Sequence, residues 1–349
     1  MKKRMYSLKR LLLMLPIVVV SLTLNAQDAV KTYTETFDVK EGVTLMSDTK
    51  YSDIELLTWE KDVVDIVVEI EVEASSKAKA EEKMEKINVR IGEAGNSINL
   101  ETDFEDGWSR NAKVKIHIIV KAPAYLNLNM ESSYGDLFIQ ELAGLILLEL
   151  RYGNLKAGSL SRGNEKPFNR LELAYSDGTI EHVGWMELEL AYSDLEIGTS
   201  GMLFAESKYS KLMGEKAGGI ITEGAYDKYY FDEVDHMVAE LRYSGIKFGA
   251  LNKKLVVESK YTNIKVMNVS KEFKEISAVS SYGNIYLDVE QGTSFKFEGE
   301  ARNGKINLTP EGRLSQMKEG NYKKVWGSVG SSPKATIKLE TRYGNIDIE

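Results

Sequence analysis

The stretch Ser281-Tyr282-Gly283-Asn284-Ile285-Tyr286-Leu287, SYGNIYL, returns near the end of the chain as RYGNIDI (342–348). It occurs earlier as SYGDLFI (133–139), RYGNLKA (151–157), AYSDLEI (191–197) and RYSGIKF (242–248). Aligned on its tyrosine, the motif falls at Tyr134, Tyr152, Tyr175, Tyr192, Tyr209, Tyr226, Tyr243, Tyr261 and Tyr282, then Asn303 in RNGKINL, then Tyr343. Four successive intervals of 17 residues, from Tyr175 to Tyr243, define a period. A fixed period of this length is the signature of a repeat architecture.

Within each repeat the side-chain parity is that of a strand. Counting back from the tyrosine, offsets −6, −4 and −2 are mostly apolar or small, as in Met186, Leu188 and Leu190, and residues two apart share one face. Counting forward, offset +3 is apolar at Leu137, Leu155, Leu195, Leu212, Tyr229, Ile246, Ile264, Ile285, Ile306 and Ile346, and offset +5 is mainly apolar as well. Each repeat therefore reads as strand, bend, strand. The bend is assigned to the Gly/Ser-Asp/Asn pair, residue types that tolerate positive φ or hydrogen-bond their own backbone. By the same parity the tyrosine points inward beside Leu and Ile.

A unit this short cannot close a core alone, but stacked coils bury a continuous apolar column. The fold expected is all-β: a right-handed parallel β-helix, or β-solenoid, of about eleven coils. At one strand spacing per coil the rod is on the order of 50 Å long. A sandwich has no reason to hold a 17-residue period, and propeller blades need about 40 residues each. The interval of 40 between Asn303 and Tyr343 holds an excursion around 312–333.

Residues 27–125 read differently, as an atypical β-rich cap. Alternating strands are separated by SSKAKAEEKMEK (75–86), a short helix, and Tyr51-Ser52-Asp53-Ile54 is an outlying copy of the motif. A cap is needed because an open parallel edge invites aggregation. At the far end either the charges Asp347 and Glu349 or the 312–333 excursion must guard the edge.

The chain opens with Lys2, Lys3, Arg4, Lys9 and Arg10, then a 14-residue apolar run from Leu11 to Leu24, then Asn25-Ala26-Gln27. This is the pattern of a signal peptide over 1–26; the run is shorter than the roughly 20 residues that span a bilayer. Loss of those five basic residues takes the formal charge from −8 to −13. An acidic exported chain lacks the basic footprint of a nucleic-acid binder. With no cysteine there is no disulfide framework, thiol nucleophile or Cys-based metal site. The domain plan expected is thus 1–26 signal peptide, 27–125 cap and 126–349 solenoid, with no transmembrane segment after cleavage.

The leader, the lead-in FDVKEGVTLMSDTKYSDIELLTWEKDVVDIVVEI (37–70), the proline turn VKAPAYLNLNMESSYGDLFIQELAG (120–144) and the repeated motif together resemble the bacterial "putative adhesin" family of exported β-helices, also labelled adhesin-like or head GIN. Members usually carry Ser or Thr before the glycine, where this chain carries Tyr. The resemblance implies a parallel β-helix in the periplasm, at the outer membrane or on the cell surface, and it brings no catalytic residues.

Offset −3 is the most informative outward column: Glu131, Glu149, Glu172, Glu189, Glu206, Glu223, Glu240, Glu258, Val279, Glu300 and Glu340. Stacked carboxylates repel and raise one another's pKa. Part of the compensation is read in offset −1, which supplies Arg151, Lys208, Arg242, Lys260, Arg302 and Arg342. A solvated charge ladder is the simpler reading. A cation or polycation surface is the functional one, strongest at Glu172, Glu189 and Glu223, where the −1 neighbour is alanine, since hard cations favour clustered carboxylates.

Offset −5 is apolar at Phe204, Ile221, Val238 and Val256. If outward, these four join Glu189, Glu206, Glu223, Glu240 and Glu258 as a candidate ligand surface; if the chain bends there they are core, the reading preferred from sequence. Tyr230, Trp108 and Trp326 are the surface aromatics best placed for sugar contact.

Enzymology finds little support. His117, His182 and His236 lie apart without ligand spacing, and no nucleophile elbow, phosphate loop or zinc motif is present. No cofactor is expected. The leading expectation is a non-enzymatic exported binding scaffold for protein or glycan at the cell envelope. The alternatives are a periplasmic sensor or structural component of envelope maintenance and, more remotely, a carbohydrate-active enzyme.

Overall fold

Alternating side chains force each strand of the repeat to hide one edge of its pleat, and burial follows that rule. Met186, Leu188 and Leu190 are buried before Tyr192, and Leu195 and Ile197 after it. The computed structural model describes residues 28–105, 108 and 113–349; the signal peptide expected over 1–26 lies outside the described residues. Apart from one helix the described secondary structure is β, joined into one long sheet system of many strands.

Successive repeats pair parallel and in register, tyrosine motif over tyrosine motif. Asn169–Ala174 lies on Met186–Ala191, which lies on the second half of Asp194–Lys208. Then follow Lys211–Ala225, Lys228–Arg242 and Gly245–Lys260, strands of 15 or 16 residues that each run through most of a coil. Because the period holds, Leu over Leu and Ile over Ile build apolar columns down the rod.

Backbone geometry at the corner differs from the sequence reading. Positive φ belongs to the tyrosine, not to the Gly/Ser-Asp/Asn pair. Eleven tyrosines, from Tyr51 to Tyr343, and Asn303 all sit at φ 53–65°. A left-handed residue costs roughly 1–2 kcal/mol for an L side chain, so something must hold twelve of them. Two bonds recur, the first at the six corners where +1 is Ser or Thr and the second at all eleven tyrosines. The hydroxyl at +1 donates to the carbonyl at −1, as in Ser193 Oγ to Ala191 O at 2.9 Å and Ser210 Oγ to Lys208 O at 2.9 Å, closing a tight loop around the tyrosine. The tyrosine N–H donates to the −1 carbonyl of the next coil, as in Tyr192 N to Lys208 O at 3.0 Å.

The +1 and +2 residues are inter-coil ties. Backbone N–H groups at +1 donate to the +1 hydroxyl of the next coil: Ser176 to Ser193 Oγ and Ser193 to Ser210 Oγ, each 3.1 Å. Where +1 is glycine, close approach explains it. A Cβ on Gly153 would lie 2.0 Å from the Gly135 carbonyl oxygen. At +2 a side-chain oxygen of Asp or Asn accepts from the neighbouring +2 N–H, as at Asp136 Oδ1 with Asn154 N, 2.9 Å.

Two ends depart from simple winding. The coil Thr44–Lys50 with Ser52–Thr58 lies between Asn127–Ser133 with Leu137–Leu142 on one side and Ser97–Phe104 with Lys113–Ala122 on the other. Antiparallel strands Asp28–Asp38, Val63–Glu73 and Ile87–Ala94 finish that end, with the helix Lys77–Met84 burying Ala80 and Met84. At the other end Ala335–Arg342 inserts between Glu275–Ser281 and Phe295–Arg302, so the last repeat is internal. The excursion is an antiparallel hairpin, Gly312–Glu319 with Tyr322–Val329, laid against Phe295–Arg302. That hairpin, rather than Asp347 or Glu349, covers the edge.

Candidate functional site

A left-handed residue at the corner breaks the in-out alternation. Offsets −1 and 0 both face solvent, and +1 turns in. The tyrosines therefore point outward, which corrects the inward reading: the ladder residues are 43–55% exposed. Alternation counted through the bend assumed extended backbone at the tyrosine, and φ near +55° reverses it.

From Tyr51 through Tyr134, Tyr152, Tyr175, Tyr192, Tyr209, Tyr226, Tyr243, Tyr261 and Tyr282 to Tyr343, each ring stacks on the next. Centroids are 4.6–5.1 Å apart and planes lie within 13°. Each stacked pair contributes about 0.5–1.5 kcal/mol beyond area burial. Phe104 closes one end edge-on against Tyr51. Because neighbouring rings cover the faces, solvent meets ring edges and hydroxyls. A sugar ring stacking on an aromatic face has no free face along the column.

Alongside runs the acidic column in direct register: Glu101, Asp48, Glu131, Glu149, Glu172, Glu189, Glu206, Glu223, Glu240, Glu258, Val279, Glu340 and Glu300. Three of the expected −1 cations bind their own coil's glutamate: Arg151 on Glu149, Arg242 on Glu240 at 3.4 Å and Arg342 on Glu340 at 3.9 Å. Lys208 instead lies over the Tyr209 ring, 5.7 Å from its centroid. Arg170, at offset −5, was not singled out in the sequence. Its guanidinium holds Glu172 at 2.7 Å and Glu189 at 2.5 Å and reaches Glu187 at 3.9 Å; the Glu172 hydrogen bond raises its pKa above the usual arginine value. Two of the three cation candidates, Glu172 and Glu189, thus share one arginine. Glu223 has no ion-pair partner among the described residues, and none of the described residues form a group of three metal-binding side chains.

A groove of about 650 Å³ separates the glutamates from the tyrosines. Its walls include Glu172, Glu189 and Glu206 on one side and Tyr152 and Tyr175 on the other, and Ala174 and Ala191 form the floor. Where −1 is alanine no side chain at that position reaches across; Arg151 and Arg242 reach Glu149 and Glu240, and Lys208 lines the groove from over Tyr209.

Offset −5 also faces out. Phe204, Ile221, Val238 and Val256 are neighbours in register; Ile221 and Val238 are 45% and 41% exposed and the other two half-buried, so the preferred core reading is corrected. The regular alternation persists back to this position, with no bend. Phe204 packs with Phe168 and Trp185 in a three-ring cluster at 5.3–5.9 Å. The nine residues of the candidate surface are thereby on one face of the rod.

The remaining candidates are scattered. His117 lies 3.9 Å from Glu55, His182 bonds Thr199 and His236 bonds the Gly218 carbonyl, so the three histidines share no site. Tyr230 is exposed on another face, Trp108 packs on Phe104, and Trp326 lies in the end hairpin.

One buried polar cluster breaks the core. Where Ser207 and Gly224 replace the Leu of offset −2, Tyr229 fills the space, its hydroxyl 2.7 Å from Ser207 Oγ and 3.0 Å from Thr222 Oγ1. Asp227, in the +1 position, accepts from Ser207 Oγ at 3.1 Å and Ser210 N at 2.9 Å. Burial pushes the Asp227 carboxyl above the usual range and the Tyr229 phenol up to about 12.

No protein-family model matches the chain, and no curated protein matches it. Among solved structures it is similar to one from Bacteroides fragilis NCTC 9343 named a "putative adhesin", at 12% identity over 91% of this chain and 97% of that one, TM-score 0.27. It is also similar to a "putative cell adhesion protein" from Clostridium sporogenes ATCC 15579, at 10% identity over 91% of this chain and 99% of that one, TM-score 0.20. No helix among the described residues is long and apolar enough to cross a membrane, which says nothing of crossing by strands.

Proposed function

We infer that the chain is an exported, non-enzymatic binding scaffold of the bacterial envelope with an adhesin-like role, wound as a right-handed solenoid of about eleven coils. The observation that carries this reading is the repeated outward tyrosine in a left-handed corner. A corner that only had to turn the chain would be met at least cost by glycine or asparagine, as Asn303 shows at one position. Strain repeated at eleven bulky residues supports use of the rings they present. Glutamates at one strand spacing and the apolar stripe from Phe204 to Val256 extend that face, giving a flat array suited to an extended partner.

The test pairs location with binding. Intact cells are treated with protease before and after the outer membrane is breached; cleavage on intact cells supports surface display, and protection until breach favours the envelope-maintenance alternative. Beads coated with the protein are then assayed for retention on panels of purified glycans and matrix proteins. A variant with Tyr175, Tyr192, Tyr209 and Tyr226 replaced by Asn, folded by circular dichroism, is expected to lose retention. Equal retention would remove the tyrosine face from the reading.

A further inference from the structure

We propose that the tyrosine ladder is an oxidative cross-linking site, at which neighbouring coils are joined covalently through dityrosine. Three observations converge on it. Adjacent phenol rings are held parallel at 4.6–5.1 Å along the whole column, so each has a coupling partner one strand spacing away. The ladder tyrosines are 43–55% exposed as residues, their ring faces covered by the stack so that the edges bearing the reactive ortho carbons face solvent, and none of the ladder hydroxyls has a hydrogen-bond partner among the described residues. The chain has no cysteine, so a covalent tie between coils cannot be a disulfide.

The chemistry balances with a one-electron oxidant of the peroxidase class fed by hydrogen peroxide. Two ladder phenols each lose one electron to the oxidised haem and one proton to water, giving two phenoxyl radicals. The radicals couple between ortho carbons, forming one C–C bond. The two ortho hydrogens leave as protons while both phenol oxygens regain one each. Per link the protein loses two hydrogens, and one hydrogen peroxide becomes two waters. Coupling needs the two rings to tilt together from the stack, on the side of each ring that faces solvent. Fixed proximity gives the intramolecular reaction a high effective concentration over encounters between molecules.

The ladder order makes a diagnostic signature. Tyr282 stacks on Tyr343, not on the residue at the next repeat in sequence, because Ala335–Arg342 is inserted there. The experiment exposes dilute native protein to a haem peroxidase and hydrogen peroxide, then maps digested peptides by tandem mass spectrometry. Expected are monomers lighter by two hydrogens per link, with links between tyrosines adjacent in the ladder, Tyr282 with Tyr343 among them. Links confined to other tyrosines such as Tyr230 or Tyr286, links only between molecules, or no dityrosine at all would each overturn the proposal.

A second variant separates stacking from coupling. Tyr134→Phe, Tyr175→Phe, Tyr209→Phe, Tyr243→Phe and Tyr282→Phe together keep every ring but leave no two adjacent phenols. Intramolecular dityrosine is expected to fall at least about tenfold, since coupling then depends on distant pairs. An unchanged yield in this folded variant would refute the ladder as the site.

Discussion

Substitution of Tyr209 separates the three roles of a ladder residue. Its φ is 53°, and its ring stacks on Tyr192 at 4.9 Å and on Tyr226 at 4.6 Å. Tyr209→Phe keeps both stacks and is expected to change stability by less than about 0.5 kcal/mol, as the hydroxyl has no partner among the described residues. Tyr209→Asn loses both stacks, for about 1–3 kcal/mol, but relieves the roughly 1–2 kcal/mol of left-handed strain that tyrosine already bears. Tyr209→Val loses the same stacks and keeps that strain, so it is expected to be about 1–2 kcal/mol less stable than the Asn variant. Denaturant unfolding followed by circular dichroism measures the series. Hydrogen exchange at the Tyr192, Tyr209 and Tyr226 amides, which donate to neighbouring coils, localises the effect. Equal loss for Val and Asn would refute the strained corner; equal loss for Phe and Val would refute ring stacking as the stabilising term.

Other outcomes follow from the same geometry. Gly153→Ala forces a Cβ within 2.0 Å of the Gly135 carbonyl and is expected to cost about 3 kcal/mol, whereas Gly245→Ser, with open space around its Cβ, stays within about 0.5 kcal/mol; thermal melts compare them. Asp227 binds its proton more tightly folded than unfolded, so its contribution makes stability fall as pH rises from its unfolded value through the raised folded one. Asp227→Ser, the residue type of neighbouring corners, should flatten that part of the stability–pH curve, and an unchanged slope would assign it to other groups. Arg170→Ala leaves Glu172, Glu187 and Glu189 without their shared cation and should cost about 0–1 kcal/mol at low salt, a difference that shrinks in high salt.

Much of the fold was legible because period and parity are properties of the chain itself. The inward columns at −6, −4, −2, +3 and +5, the outward glutamates and the helix at 77–84 stand where their spacing puts them. The tyrosines were misread for a local reason. Parity counting assumes extended backbone, and one left-handed residue per coil reverses it; nothing in Tyr as a residue type announces positive φ. A signal did exist in the +1 Ser, Thr or Gly, whose hydroxyl or missing Cβ serves the corner. The end of the rod was illegible for a different reason. Segments 295–308 and 335–348 both carry the motif, and only tertiary pairing decides which one is internal. Arg170 stands at an offset, −5, where the two in-register neighbours are Leu147 and Glu187, so no column of like residues marks it in the sequence.

The outward ladder itself is tested most directly by nitrating the native protein with tetranitromethane and mapping the modified tyrosines. The structure predicts modification along the ladder, Tyr175, Tyr192, Tyr209 and Tyr226 included, with Tyr229 protected until the protein is unfolded. Protection of the ladder tyrosines in the folded state, with reactivity appearing only on denaturation, would contradict it.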